Sequence, residues 1–185
     1  MIYVIWGIAF VLGIWIISTY NALTALRLRS DNAWRQIDVQ LKRRYDLIPN
    51  LIESVKGYMQ FEQDTLQKVI DARSQAMVSK GIKEAASAQS ALNQSLGQVF
   101  ALMENYPDLK SNQNVLNLQE ELTGTESRIA FARQYYNDLV TQYNTKQQVF
   151  PSNVIAGFFH FQPSELFNVP ETEKGLPKVD LKLRS

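Results

Sequence analysis

The first 26 residues carry no charged side chain, and apolar residues fill positions 2–17 almost without interruption. Extended through Tyr20, the run is about 19 residues long, close to the ~20 that a helix needs to cross a bilayer. A buried core helix of this length would show a polar face. A signal peptide would need a basic segment before the run and a cleavage site after it. The pattern therefore predicts a retained transmembrane anchor.

A second apolar pattern follows the anchor, with spacings that alternate between three and four residues and so indicate an amphipathic helix. Its positions are Trp34, Ile37, Leu41, Ile48, Leu51, Val55 and Tyr58. No strong helix breaker separates this pattern from the anchor, so a single helix is predicted from the membrane to about Met77. Pro49 should kink that helix, because proline removes one backbone hydrogen bond and clashes with the preceding turn.

Two further helices are predicted. One runs from about Ile82 to Asn105, between a break near Gly81 and a stop at Pro107. The other has the most regular repeat, from Val115 to Phe150, which supports coiled-coil-like packing. Its candidate N-terminal caps are Asp108, Ser111 and Asn112.

These patterns predict an all-α protein. One N-terminal transmembrane helix continues into an elongated antiparallel up-and-down helical bundle of three long helices plus a short C-terminal helix, because short turns between long helices favour antiparallel neighbours. The predicted organisation is an anchor at residues 1–26, a cytoplasmic bundle at residues 27–169 and a polar C-terminal tail at residues 170–185.

The chain after Pro151 is rich in aromatic residues, among them Phe158, Phe159 and Phe161. This segment either forms a short helix and loop folded over one end of the bundle or presents a patch that binds a partner. In the tail, residues 178–184 alternate apolar and charged side chains. We expect a loose tail there, and the alternative is strand addition to a neighbouring chain.

Charge predicts the orientation of the anchor. No Lys or Arg precedes it, whereas Arg27 and Arg29 follow it closely enough to meet lipid headgroups. The positive-inside rule then places the N-terminus outside and the bundle in the cytoplasm. Ala9 and Gly13 form a pair of small residues four apart, which is a candidate surface for packing between anchors.

Composition argues against several functional classes. The net charge is +1, and the chain has no cysteine and one histidine, His160. Disulfides, thiolate-bound metals, thiol catalysis and multi-histidine metal sites are therefore excluded. No nucleophile–histidine pair, phosphate loop, di-iron pattern or RNA-binding consensus is visible. The sequence predicts no enzymatic activity, no cofactor, no metal, no nucleic acid and no small-molecule substrate.

Several polar residues are candidates for protein contacts. The cluster of Lys42, Arg43 and Arg44 lies roughly 36 Å past the apolar run at helical rise, too far to sense lipid over a ~8 Å Debye length. We expect protein contacts or internal pairing, with a plain solvated face as the alternative. Arg43 can pair with Asp46, three residues later.

The last long helix has tyrosine and amide side chains along it. Tyr136 and Tyr143 share the apolar seam, so buried rings with hydrogen-bonded tips are expected. Tyr135 and Asn137 are kept as interaction candidates. A role of the amides in helix register is favoured over a ligand site.

Several blocks of the sequence resemble the LemA family, in order and at family spacing, from about Tyr20 to Phe167. The longest is AWRQIDVQLKRRYDLIPNL at residues 33–51. The next begins with Tyr106 and Pro107, and the others lie at residues 118–122, 132–137, 143–144 and 150–153.

The resemblance implies a single-pass protein of the bacterial inner (cell) membrane, with an outside N-terminus and a cytoplasmic helical bundle. It implies no established enzymatic activity. It also implies an association with membrane proteases, notably zinc metalloproteases of the HtpX type, and with the formation of membrane organelles. We therefore expect a non-enzymatic scaffold anchored in the lipid bilayer, which forms homo-oligomers and recruits or regulates a membrane protein such as an HtpX-type protease. A one-to-one adaptor or inhibitor of a protease is the alternative, and an enzyme with an unrecognised site is a third hypothesis.

Overall fold

A computed structural model of the chain describes residues 1–168. The helices in this range are α1 (Ile2–Val55), α2 (Gln63–Val78), α3 (Ile82–Met103), α4 (Pro107–Ser111), α5 (Gln113–Gln148) and α6 (Ser152–Phe158), with a short 3₁₀ helix at Gln60–Glu62. Residues 1–168 contain no strand. The predicted all-α fold is confirmed: one long apolar N-terminal helix is followed by a helical bundle. The predicted tail at residues 170–185 lies outside the described residues, and the predicted domain boundaries stay predictions.

The first helix ends earlier than the sequence predicted. Helix α1 stops at Val55, and a turn at residues 56–58 separates it from the 3₁₀ helix and α2. Gly57 lies in this turn, where its low helix propensity favours a break. The turn buries Met59 completely and leaves Tyr58 exposed. The prediction of one helix to Met77 was wrong because it placed Tyr58 in the apolar seam. Pro49 lies inside α1 as predicted.

The chain divides into two compact units, and α1 and α5 contribute to both. Unit 1 comprises residues 1–47 and 117–167. Within it, Trp34 of α1 faces Tyr136 of α5, with ring centroids 5.7 Å apart. Farther along α1, Arg44 pairs with Glu126 of α5. Positions that rise along α1 thus meet positions that fall along α5, so the two helices are antiparallel.

Unit 2 includes residues 48–116, in which α2 packs against α3. Gly81 directly precedes α3 with a φ of 83°, in the left-handed region that glycine adopts without strain. The predicted break is therefore confirmed, although α2 already ends at Val78. The core of this unit is mainly aliphatic, and includes Leu51, Val69, Leu92, Leu96 and Val99.

The start of α5 follows one of the predicted capping choices. The Oδ1 atom of Asn112 accepts hydrogen bonds from the backbone N–H groups of Asn114 and Val115, at 3.0 and 3.4 Å. These N–H groups have no partner inside the helix, so the side chain satisfies them.

Candidate functional site

The N-terminal part of α1 is the one segment among residues 1–168 that is long and apolar enough to cross a membrane. Only 6% of its most apolar window is buried inside the protein. Ala9 is exposed, and a methyl group added at Gly13 would meet no atom within 4 Å. The chain is thus compatible with a single-pass membrane protein, and the contact surface at Ala9 and Gly13 stays a prediction.

The basic cluster after the anchor does not act as one group. Lys42, Arg43 and the nearby Asp46 are exposed, as are Arg27 and Arg29 closer to the anchor. The structure pairs Arg43 with Glu121 of α5, at 3.9 Å, instead of with Asp46. Both members of that pair are about half exposed, so it contributes little stability. The predicted pairing within α1 is replaced because α5 runs alongside.

Arg44 differs from its neighbours because its side chain points into unit 1. It is 4% exposed, and its guanidinium donates a hydrogen bond to the carboxylate of Glu126. Burial lowers the pKa of Arg44, while the carboxylate of Glu126 acts in the opposite direction. Arg133 approaches the same carboxylate at 3.6 Å. Of the alternatives considered for the basic cluster, internal pairing therefore describes Arg44.

A repeated Tyr–Asn dipeptide on α5 holds the segment that follows α6. The side-chain amide of Asn137 donates to the carbonyl of Phe167 (3.1 Å) and accepts from its N–H (2.8 Å). Seven residues later, Asn144 makes the same two bonds with Ser164, both 2.9 Å long. The two amides therefore make the same pair of hydrogen bonds with the segment that the backbone of a neighbouring strand would make, although residues 1–168 contain no strand.

The tyrosines that precede these asparagines hold the same segment. The hydroxyl of Tyr136 donates to the carbonyl of Glu165 (2.7 Å), and that of Tyr143 donates to the carbonyl of Gln162 (3.1 Å). Burial raises the pKa of Tyr136 to about 12, and the carboxylates of Asp31 and Glu165 act in the same direction. The expected buried rings with hydrogen-bonded tips are what the structure contains.

The spacing of the repeat follows from helix and strand geometry. Seven residues of a helix rise about 10.5 Å, and three residues of extended chain, from Ser164 to Phe167, span roughly 10 Å. One heptad of α5 therefore matches three residues of the segment. The sequence did not predict this pairing for Asn137 or its neighbours such as Tyr135, although the seven-residue Tyr–Asn repeat is visible in it.

Phe167 ends the held segment and is itself enclosed. It is 2% exposed, its ring centroid lies 5.9 Å from that of Trp34, and the guanidinium of Arg133 lies 5.5 Å above its ring. A cation over an aromatic face is favourable. The segment is thus held against α1 and α5 both by hydrogen bonds of its backbone and by contacts of the Phe167 ring.

The aromatic residues after Pro151 divide into packed and exposed side chains. Phe161 is half-buried and packs against a core cluster of Leu23, Tyr143 and Ala156. This agrees with a helix and loop folded onto the bundle. Phe158 and Phe159, in contrast, stay exposed.

An open groove of about 550 Å³ runs between α1 and α5 in unit 1. Three large side chains line it with most or half of their surface exposed: Val39 at 63%, Phe131 at 73% and Tyr135 at 52%. Arg35 and Arg128 add positive charge to its walls. Exposed apolar surface with a polar rim is typical of protein contact sites. Tyr135 was a candidate from the sequence, whereas Val39 and Phe131 were missed, although both are apolar residues outside the helix seams.

Within residues 1–168, no group of three His, Asp or Glu side chains could hold a metal ion.

The sequence model of the LemA family matches residues 33–181, which is most of the chain. The chain belongs to the LemA family. The match extends past Phe167, where the resemblance ended, to Leu181.

The chain is similar to three named bacterial proteins. Protein LemA of Metamycoplasma hominis is 27% identical over 144 residues, which cover 77% of this chain and 66% of the relative. Magnetosome protein MamQ 2 of Paramagnetospirillum magneticum is 23% identical over 174 residues, or 80% of this chain and 64% of that protein. Magnetosome protein MamQ of Magnetospirillum gryphiswaldense is 22% identical over 175 residues, with the same coverage of 80% and 64%. The chain spans about two thirds of the length of these relatives.

Together with the apolar helix α1, the LemA match indicates a membrane-associated protein, and none of the relatives' names describes an enzyme. The family blocks also have clear structural places. Residues 33–51 lie inside α1 and carry Arg44, and residues 132–144 carry the Tyr–Asn repeat. Tyr106 precedes α4, and Pro107 is its first residue, a position that proline favours. Pro107 was predicted only as the end of the preceding helix; in the structure it follows α3 and also begins α4.

Proposed function

We propose that this LemA family protein is a non-enzymatic scaffold, which is anchored in the bacterial inner membrane by α1, self-assembles, and recruits or regulates a membrane protein. The observation that carries the proposal is the groove between α1 and α5. The ion pairs, side-chain amide hydrogen bonds and aromatic contacts of unit 1 hold α1 and α5 together, and the groove remains open beside these contacts.

The shape of the groove suits a helix from another protein. Its walls come from two antiparallel helices, and an amphipathic helix can lay its apolar face between them. Val39 and Phe131 would contact that face, while Arg35 and Arg128 would attract acidic residues on it. Val39 lies 19 residues after Tyr20, which is about 28 Å of helix. The contact would therefore form outside the bilayer, on the cytoplasmic side in the proposed orientation.

The proposed occupants follow from the scaffold role. A second copy of the chain in the groove would build the assembly, and the Ala9–Gly13 face would pack anchors within the membrane. The recruited protein is proposed to be a membrane protease of the HtpX type, which the resemblance to the LemA family implies.

The test is the particle mass of the full chain in detergent and in lipid nanodiscs. We expect particles larger than a monomer for the natural chain. The double variant Val39→Ser/Phe131→Ser should shift the mass towards the monomer, because it removes the apolar part of the groove. Val78→Ser in unit 2, which alters a side chain that is 73% exposed, serves as the matched control and should leave the mass unchanged.

A strictly monomeric natural chain would contradict self-assembly. Cross-linking followed by pull-down then separates the alternatives. A protease captured one-to-one by a monomer, and lost in the groove variant, would identify the adaptor or inhibitor in place of the scaffold. If the chain neither self-associates nor captures an HtpX-type protease, the scaffold proposal and the adaptor alternative are both contradicted.

A further inference from the structure

The corner between α5 and α6 exposes a concentration of large apolar side chains. Phe150 is 82% exposed and Phe158 is 75% exposed. Val149, Val154 and Phe159 are also exposed, and all five lie within residues 149–159. The two most exposed, Phe150 and Phe158, lie in the turn before α6 and at the last residue of α6. This apolar corner, defined as residues 149–159, has a surface that would be unfavourable in water.

Contacts inside unit 1 place the apolar corner beside the anchor. The ring centroid of Tyr20 lies 4.8 Å from that of Phe159 and 5.6 Å from that of Phe161. Tyr20 is the last residue of the predicted membrane-spanning run. A cavity of about 620 Å³ is lined by Trp15 and Thr19 on the anchor side and by residues 149–152 on the other. The corner therefore reaches the level of Trp15 to Tyr20.

With α1 anchored as proposed, that level is where the bilayer changes from hydrocarbon to headgroups. Tyr and Trp side chains favour this zone because their rings are apolar and their tips are polar. The corner adds Phe158 and Phe159, which contact each other edge to face at 5.1 Å. Exposed apolar rings beside the end of a membrane helix are thus positioned to meet acyl chains.

The charges around the corner also suit a lipid surface. No Asp or Glu occurs in residues 1–30 or in residues 139–164. These two stretches form the membrane end of unit 1, and their ionisable residues are Arg27, Arg29, Lys146 and His160, together with tyrosines. Basic residues near the surface attract anionic phospholipid, and no carboxylate in these stretches would repel it.

We propose that the apolar corner is a second membrane contact: the turn before α6 and the exposed face of α6 insert into the headgroup and upper acyl region of an anionic phospholipid bilayer. The inference rests on the proposed anchoring by α1, and it adds a site that the anchor does not require. A single helix can still tilt and rotate in a bilayer, whereas a second inserted element beside it restricts both motions.

The absence of cysteine allows a direct test on the full chain. Three single variants, Ile8→Cys, Phe158→Cys and Thr123→Cys, are labelled with an environment-sensitive fluorophore in nanodiscs of phosphatidylcholine and phosphatidylglycerol. Spin-labelled lipids with the quencher at known depths then report how deep each label lies. Position 8 tests the anchor, position 158 tests the corner, and position 123 is an exposed site on α5.

We expect blue-shifted emission and quenching at positions 8 and 158, with a shallower depth at position 158 and no quenching at position 123. Quenching at position 8 without quenching at position 158 would overturn the second contact while leaving the anchor intact. An unquenched label at position 8 would instead contradict the anchoring on which the inference rests.

A second measurement separates lipid from another copy of the chain. If the corner is a contact between copies, unlabelled Phe158→Cys will form disulfide-linked dimers when a mild oxidant such as dissolved oxygen with copper phenanthroline is added, and the fluorophore in a separate labelled sample will stay unquenched, which would also overturn the proposal. The double variant Phe150→Ser/Phe158→Ser should lower the protection of residues 149–159 from hydrogen exchange in nanodiscs. Phe61→Ser, at a site in unit 2 that is 96% exposed, is the matched control and should leave that protection unchanged.

Discussion

The side-chain amide of Asn137 in α5 binds both backbone polar groups of Phe167: it donates a hydrogen bond to the carbonyl and accepts one from the N–H. A helix cannot offer its own backbone to an extended neighbour, because the helical hydrogen bonds already occupy it. Side-chain amides at heptad spacing solve this problem, since they carry a donor and an acceptor away from the helix surface.

The first prediction concerns this pair. Asn137→Leu removes both hydrogen bonds while keeping the branched shape of the side chain, so it should lower the free energy of unfolding by about 1–3 kcal/mol. Hydrogen exchange at Phe167 should accelerate because its N–H loses its acceptor. Asn32→Leu on the exposed surface of α1 is the control. Unchanged exchange at Phe167 would show that the amide does not hold the segment.

The second prediction is an asymmetry between the two members of the Arg44–Glu126 pair. Glu126→Gln leaves the buried guanidinium of Arg44 without its carboxylate and should cost about 3–5 kcal/mol of stability. Arg44→Met should cost less, about 1.5–3 kcal/mol, because Glu126 is partly exposed and keeps Arg133 nearby. Chemical denaturation of both variants checks the order. A larger loss for Arg44→Met would contradict the account.

The third prediction is a loss of stability in alkaline solution. The pKa of Tyr136 is raised to about 12 in the folded chain, against about 10 when unfolded. The folded state therefore retains a proton that the unfolded state releases. The resulting stabilisation is complete below pH 10 and is lost as the pH rises towards 12, by up to about 1.4 kcal/mol per pH unit.

Comparison of the natural chain with Tyr136→Phe isolates this effect, since phenylalanine does not titrate. Unfolding curves at pH 9, 10, 11 and 12 should show a shallower decline for the variant. Parallel declines for both proteins would mean that Tyr136 is not responsible.

The fourth prediction concerns Gln89 in α3, which is 1% exposed and has no hydrogen-bond partner within residues 1–168 for either side-chain amide atom. Burying a polar group without partners is unfavourable. Gln89→Leu should therefore raise the free energy of unfolding by about 1–3 kcal/mol. Gln98→Leu at an exposed position of the same helix is the control. If Gln89→Leu destabilises the protein, an ordered water or another partner holds the amide.

Much of the fold follows from periodicity alone. The uncharged run before Arg27 indicated the anchor, and the regular seam from Val115 indicated α5. The end of α1 at Val55 was harder to predict, because the apolar spacing runs smoothly past it to Tyr58. Only packing in three dimensions favours burial of Met59 over Tyr58.

The candidate site shows the same limit. A sequence identifies Arg44 as one of three adjacent basic residues, and only the position of α5 decides that Arg44 turns inward while Arg43 stays at the surface. The Tyr–Asn repeat was visible as a pattern, but its partner, the segment at residues 162–167, has no periodicity of its own. The segment binds the Tyr–Asn repeat through its backbone atoms, which are the same for almost every residue type, so the sequence does not reveal these contacts.

Helix α1 continues without interruption from Ile2 to Val55, so the Ala9–Gly13 face and the Val39 side of the groove share one axis. Each inserted or deleted residue between them would turn one face by about 100° relative to the other. If both surfaces join copies of the chain, this fixed angle decides the symmetry of the product. A rotation that closes after a few copies gives a ring, and one that does not close gives a filament along the membrane.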